Sequence, residues 1–103
     1  LVFILQRGVR FPQGPPFMVY FVYMILTKHK TKNISYVGYT SNLINRLKLH
    51  NNSRGAKFTR GKKWKIIYKK QYLEKSSAMK DEYKLKKDYK LRNKIKINYL
   101  KDE

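Results

Sequence analysis

The stretch SYVGYTSNLINRLKLH, residues 35–50, sets a phenol, a glycine, a guanidinium and an imidazole close together: Tyr36, Gly38, Arg46 and His50. Few other groups in the chain can do chemistry. The carboxylates are Glu74, Asp81, Glu82, Asp88, Asp102 and Glu103, the histidines are His29 and His50, and there is no cysteine. A two-metal phosphodiesterase gathers several carboxylates, and a zinc site needs three or four His, Cys or carboxylate ligands. This chain can hardly supply either set. It also has no phosphate-cradling glycine-rich loop and no dinucleotide fingerprint. Phosphodiester cleavage here would have to rely on one hard cation, one carboxylate, and cationic or phenolic groups.

The charge narrows the partner. Twenty-five Lys and Arg against six acids give a net charge of +19 over 103 residues, spread along the whole chain. Such a field destabilises a compact state by self-repulsion, so a polyanion is the natural partner. Nucleic acid ranks first because each neutralised phosphate releases counterions. An anionic membrane surface and a merely solubilising charge rank below it. The longest apolar run, MVYFVYMIL (18–26), falls short of the roughly 20 residues that cross a bilayer. The absence of cysteine suits a reducing compartment, and the cytoplasm is the expected location.

The elements that must position these groups are legible from periodicity. Residues 1–17 hold all three prolines and are read as a nonessential extension, with Met18 opening one compact domain over 18–103. VYFVYMIL (19–26) and ISYVG (34–38) read as strands joined by a short polar turn, a β-hairpin. A fold-back centred on His29 and Lys30 puts Tyr23 opposite Tyr36, and His29 is then only a turn residue. SNLINRLKLHN reads as a helix capped by Ser41 or Asn42. Leu43, Ile44 and Leu47 lie on its apolar stripe, and Asn42, Arg46 and His50 share another face. NSRGAKFTRGKK is a basic loop. WKIIYKKQY (64–72) reads as a third strand with Trp64, Ile66, Tyr68 and Tyr72 on one face. SSAMKDEYKLKKDYK reads as a serine-capped helix with Ala78, Met79, Tyr83 and Leu85 at helical spacing, and LRNKIKINYL is a candidate last helix. The order β-β-α-β-α, with room for one more helix, predicts an α+β fold: a small three-stranded antiparallel sheet flanked by helices.

Across residues 19 to 90 the ordered motifs resemble the GIY-YIG endonuclease family, and its small single-domain members in particular. FVY (Tyr23) stands at the first signature, with Phe21 where the family name has Gly, and YVG (Tyr36, Val37, Gly38) at the second. TSNLINRLKLH resembles the family's arginine helix, with a histidine one turn after Arg46 as in several members. GAKFTRGKKWKIIY resembles the loop and third strand. SAMKDE ends at Glu82, where the family has its metal-binding glutamate. No one of these motifs is specific; their order and spacing are.

The resemblance implies a DNA phosphodiesterase using one divalent ion, Mg²⁺ or Mn²⁺, whose in-line attack by water leaves a 5′-phosphate, in a setting such as DNA repair. Glu82 is then the metal ligand, weighed against an i,i+4 pair with Lys86 worth about 0.2–0.5 kcal/mol. Arg46 binds the scissile phosphate, its planar fork suiting phosphate oxygens. The general base is Tyr36 or His50. A free phenol titrates near 10 and needs cationic help, whereas imidazole titrates near 6.5. Tyr23 orients water or phosphate, or is an ordinary cross-strand aromatic. Gly38 permits a tight turn or close phosphate approach. Gly38, Asn42, Lys57, Thr59, Arg60, Lys62 and Lys63 are the candidate DNA-binding set. Structured or branched DNA and a specificity-giving protein partner are both compatible with so small a chain. The rivals are a binding module of the same fold without turnover, and a basic RNA-, ribosome- or membrane-surface-associated protein.

Overall fold

The computed structural model describes residues 19–102. The proposed extension and Met18 lie outside them. Strands β1 (Tyr20–His29), β2 (Lys32–Thr40) and β3 (Lys65–Tyr72) form one antiparallel sheet in the order β2-β1-β3. Helices α1 (Leu43–Asn51), α2 (Lys75–Lys87) and α3 (Tyr89–Lys101) complete the α+β fold, and the last candidate helix is present. A single 3₁₀ turn, Lys57–Thr59, interrupts the basic loop. No helix among the described residues is long and apolar enough to cross a membrane.

β1 is the central strand and is buried on both faces, which its run of apolar and β-branched residues dictates. On one face Val22, Met24 and Val37 pack with Ala78 and Leu85 of α2, flanked by Tyr68, Tyr72 and Ile95. On the other face Tyr23, Ile25 and Trp64 pack with Tyr36, Leu43, Leu47 and Ile66. The sheet is therefore a middle layer, with α1 on one side and α2 and α3 on the other.

Four details depart from the sequence reading. The hairpin turns one residue later than expected, so that His29 pairs with Lys32 and Lys30 takes a left-handed φ of 59°. Tyr23 consequently faces Gly38, and Tyr36 faces Ile25. Both phenols remain on one face, since each pairing shifts by a whole pleat repeat. Second, the register between β1 and β3 slips between Met24, opposite Tyr68, and Ile25, opposite Ile66. This irregularity carries Trp64 and Ile66 to one face and Tyr68 and Tyr72 to the other, instead of leaving all four together. Third, α2 starts at Lys75, before either serine, with Glu74 as N-cap and no side-chain cap bond. Last, on that helix Ala78 and Leu85 are buried while Met79 and Tyr83 are exposed.

Asn42, rather than Ser41, caps α1, accepting the Asn45 N–H at 3.0 Å. Asp88 ends α2 and caps α3 by accepting from Leu91 N at 3.0 Å. Arg92 donates to the Leu85 carbonyl at 3.0 Å and also to that of Lys86, closing the C-terminus of α2.

Candidate active site

Gly38 explains where the site lies. A Cβ at this position would stand 2.6 Å from the Tyr23 hydroxyl and 2.8 Å from its ring. With no side chain on Gly38, the Tyr23 ring can pass close over β2 and bring its oxygen to His50. The glycine is thus required by a close approach within the protein.

There the hydroxyl meets His50. Tyr23 Oη and His50 Nε2 are 2.8 Å apart, and His50 Nδ1 and Thr59 Oγ1 are also 2.8 Å apart. Thr59 Oγ1 donates its own proton to the Ala56 carbonyl at 2.7 Å. That fixes the direction of the chain. Thr59 can only accept from His50, so Nδ1 carries the ring proton, Nε2 is an acceptor, and Tyr23 donates to it. Trp64 Nε1 donates to the Thr59 carbonyl at 3.0 Å and holds the far end. Tyr23, His50, Thr59 and Trp64 are all buried. Gly55 also serves this group, because a Cβ there would lie 2.5 Å from His50 Nδ1.

The electrostatics agree with this protonation pattern. Burial, with the Arg46 guanidinium adding to it, pushes the His50 imidazole below its ordinary value and favours the neutral ring. The Tyr23 phenol is pushed well above its ordinary range, chiefly by burial. Tyr36 and Glu82 push the same way and Arg46 opposes them. The charges of α1 and α2 therefore both reach the Tyr23 hydroxyl from opposite layers. The His50 shift carries a prediction. The unfolded imidazole titrates near 6.5, and the folded one lower. The stability this contributes is complete above about pH 6.5 and is lost as pH falls through the folded value. Melting temperature should drop as pH falls below about 6.5, and His50→Gln should lose that part of the slope. Melts of both proteins check it, and identical slopes would refute it.

Tyr36 is half-buried. Its ring meets His50 edge-on at 5.2 Å and stacks on Phe58 at 6.2 Å. Lys86 Nζ lies 5.9 Å from its centroid and 3.4 Å from Glu82 Oε2, so the i,i+4 pair is formed. Tyr36 lines a cleft of about 290 Å³ with Ser35, Val37, Phe58, Lys86 and Arg92. Arg46 lines another of about 410 Å³ with Tyr20, Tyr39, Thr40, Ser41 and Lys75. The two follow one another along β2, with Gly38 between them.

The remaining candidates divide. Thr59 is fully enclosed, so it holds the histidine and does not meet phosphate, a correction to its expected role. Asn42 uses its side-chain oxygen as a helix cap. Lys57 and Arg60 are exposed at the ends of the 3₁₀ turn, and Lys62 Nζ lies 5.8 Å from the Phe58 centroid. Lys63 lines a separate cleft with Lys28, Asn33 and Tyr99. Sequence reasoning passed over Phe58 and Gly55 as site neighbours, while Lys86 was named only as a partner of Glu82. A lone aromatic inside GAKFTRGKK was the available signal for Phe58.

This layered sheet, with its paired phenols at the β2 edge, is that of a known nuclease class: residues 19–96 match the GIY-YIG catalytic domain, and the chain belongs to the GIY-YIG family. Among curated proteins it is similar to UPF0213 protein OB0043 of Oceanobacillus iheyensis, 46% identical over 44 residues, 42% of this chain and 51% of that protein. It is also similar to UPF0213 protein CPE1444 of Clostridium perfringens, 41% identical over 57 residues, 54% of this chain and 60% of that protein. The matches thus span only about half to three-fifths of these relatives' length. No solved structure gives a significant match.

Proposed function

We propose that the chain is a DNA endonuclease that hydrolyses phosphodiester bonds with one divalent ion, Mg²⁺ or Mn²⁺. The observation that carries this reading is the Tyr23–His50–Thr59 hydrogen-bond chain, whose phenol end lies within the fields of Arg46 and Glu82. Family membership supports a nuclease-type fold.

The donor set fits a hydrated hard cation. Among the described residues no three His, Cys, Asp or Glu side chains come together to hold a metal. Mg²⁺ needs no such cage, since it keeps several waters and binds through one or two carboxylates plus substrate phosphate. Glu82 is the side chain that would hold it, exchanging Lys86 for the ion; when bound, the ion would neutralise phosphate charge and acidify water.

Arg46 supplies its fork to the non-bridging phosphate oxygens, where charge builds in the transition state. Both His50 nitrogens are engaged, so it acts through Tyr23 and not on water directly. Water gives a proton to Tyr23 Oη as Tyr23 passes its own to His50 Nε2. The imidazolium so formed still donates Nδ1–H to Thr59. The hydroxide bonds to phosphorus, the P–O3′ bond breaks, and the 3′ oxygen recovers a proton from solvent. The phosphate stays on the 5′ side. Tyr36 orients the water beside Tyr23.

The Glu82–Lys86 ion pair favours one other reading, a binding module in which the acid is already satisfied. Incubating the protein with supercoiled, branched and single-stranded DNA in Mg²⁺, Mn²⁺ or EDTA separates the two. Cleavage with either ion and none in EDTA is expected. Binding without cleavage of any of these substrates would leave the module.

A further inference from the structure

Phe58 sits oddly for a core aromatic. It is 53% exposed, although its ring stacks on Tyr36 with an interplanar angle of 21° and approaches Trp64 at 6.4 Å. Trp64 is itself buried and hydrogen-bonded. The loop therefore leaves more than half of a large apolar side chain in water, in a segment that also carries Lys57, Arg60, Lys62 and Lys63.

We propose that the Phe58–Tyr36 pair is a stacking platform for one unpaired nucleobase, so that the DNA this site takes carries a single-stranded or extruded nucleotide beside the scissile phosphate. The proposal rests on the nuclease reading above. The cleft at this ring, about 290 Å³, lies just below the usual range of small-molecule sites, about 300–1,000 Å³. A base within a duplex has both faces covered by its neighbours and offers only its edges, so it cannot stack on Phe58 unless it leaves the helix.

The charges around the ring suit this occupant. Lys62 lies 5.8 Å from the Phe58 centroid and Lys86 5.9 Å from the Tyr36 centroid. An exposed cation–π contact is worth roughly 2- to 5-fold in an equilibrium, whereas a stacked base is worth roughly 5- to 150-fold. A base therefore displaces an ammonium from the ring, and the flexible lysine turns to the adjoining phosphate. Arg92 is committed to the α2 carbonyls and stays as the floor of the cleft. The Arg46 cleft follows along β2, past Gly38 and the Tyr23 hydroxyl. One strand can thus set a base on Phe58 and a neighbouring phosphate on Arg46.

The test is binding in EDTA, where the proposed hydrolysis is stopped. Fluorescence anisotropy compares a labelled single-stranded oligonucleotide with its blunt duplex, using wild type, Phe58→Ala, Phe58→Leu and Phe58→Trp. Ala and Leu should weaken single-strand binding roughly 5- to 150-fold with little effect on duplex, and Trp should retain it. A 2-aminopurine base in the single strand should be quenched by wild type and Trp but not by Leu. Leu keeps an apolar cover over Trp64, so the Leu–Trp comparison stands even if the Ala variant unfolds. Undiminished single-strand binding by Leu, or equal losses on single strand and duplex, overturns the platform. Phe58-dependent binding by a protein that cuts nothing in Mg²⁺ supports the platform while counting against the nuclease reading. Cutting that is indifferent to Phe58→Leu on single-stranded DNA counts against the platform alone.

Discussion

Tyr23→Phe is expected to lower DNA cleavage roughly 10²- to 10⁴-fold, the usual worth of a positioned proton-transfer group, while DNA affinity changes little. The variant keeps the ring that covers Gly38 and removes one oxygen. Among the described residues that oxygen is the hydrogen-bond partner of His50 Nε2, which is buried. Without it, water has no route to the imidazole, and Nε2 is left as an unsatisfied acceptor. The second consequence costs about 1–3 kcal/mol of stability, so melting temperature should fall along with activity. Affinity should persist because Arg46 and the lysines, which are proposed to meet phosphate, are untouched. Single-turnover cleavage, anisotropy and a thermal melt on one preparation check all three. Cleavage near the wild-type rate would remove Tyr23 from proton transfer. If Tyr36→Phe then proved inactive, the base would be Tyr36.

Glu82→Ala should be equally severe for cleavage, at least about 10²- to 10³-fold, and should leave the fold almost unchanged. Among the described residues the ion pair it breaks is the contact with Lys86, worth about 0.2–0.5 kcal/mol. DNA affinity measured in EDTA should hold or rise, since an acid leaves a strongly basic surface and Lys86 becomes free for phosphate. This opposition of binding and turnover is diagnostic. A merely structural glutamate would not raise affinity while abolishing cutting, and cutting that survives the change would exclude Glu82 as the metal ligand. Glu82→Gln, which keeps shape but not charge, should behave like Ala.

The sheet flanked by helices was readable because hydrophobic spacing separates strands from helices here, whereas the β-branched, Asn-containing pattern of the last helix left it open. Cross-strand register was less accessible. Lys30 adopts a left-handed turn conformation that its residue type does not announce, so TKHKTKN gave no marker for the true turn. The slip in β3 is likewise invisible in WKIIYKKQY, where simple alternation reads as one continuous face. The motif order exposed Tyr23, Tyr36, Arg46, His50 and Glu82 as candidates. The wiring among them stayed hidden, because Thr59 lies in a basic loop and looks like a phosphate contact until its burial is seen. Phe58 was missed for a related reason: a single aromatic among lysines carries no periodicity.

The slip in β3 has a consequence for how this chain can vary. Upstream of it Trp64, just before the strand, and Ile66 go to the layer that supports Tyr23 and Tyr36; downstream, Tyr68 and Tyr72 go to the layer of α2 and α3. Gaining or losing one residue within 65–72 would reverse the alternation on one side of the change only, and so end this division of the strand between two layers. Conservative replacements are therefore tolerable along the strand, but changes of length have to be absorbed in the connections at 52–63 and 73–74.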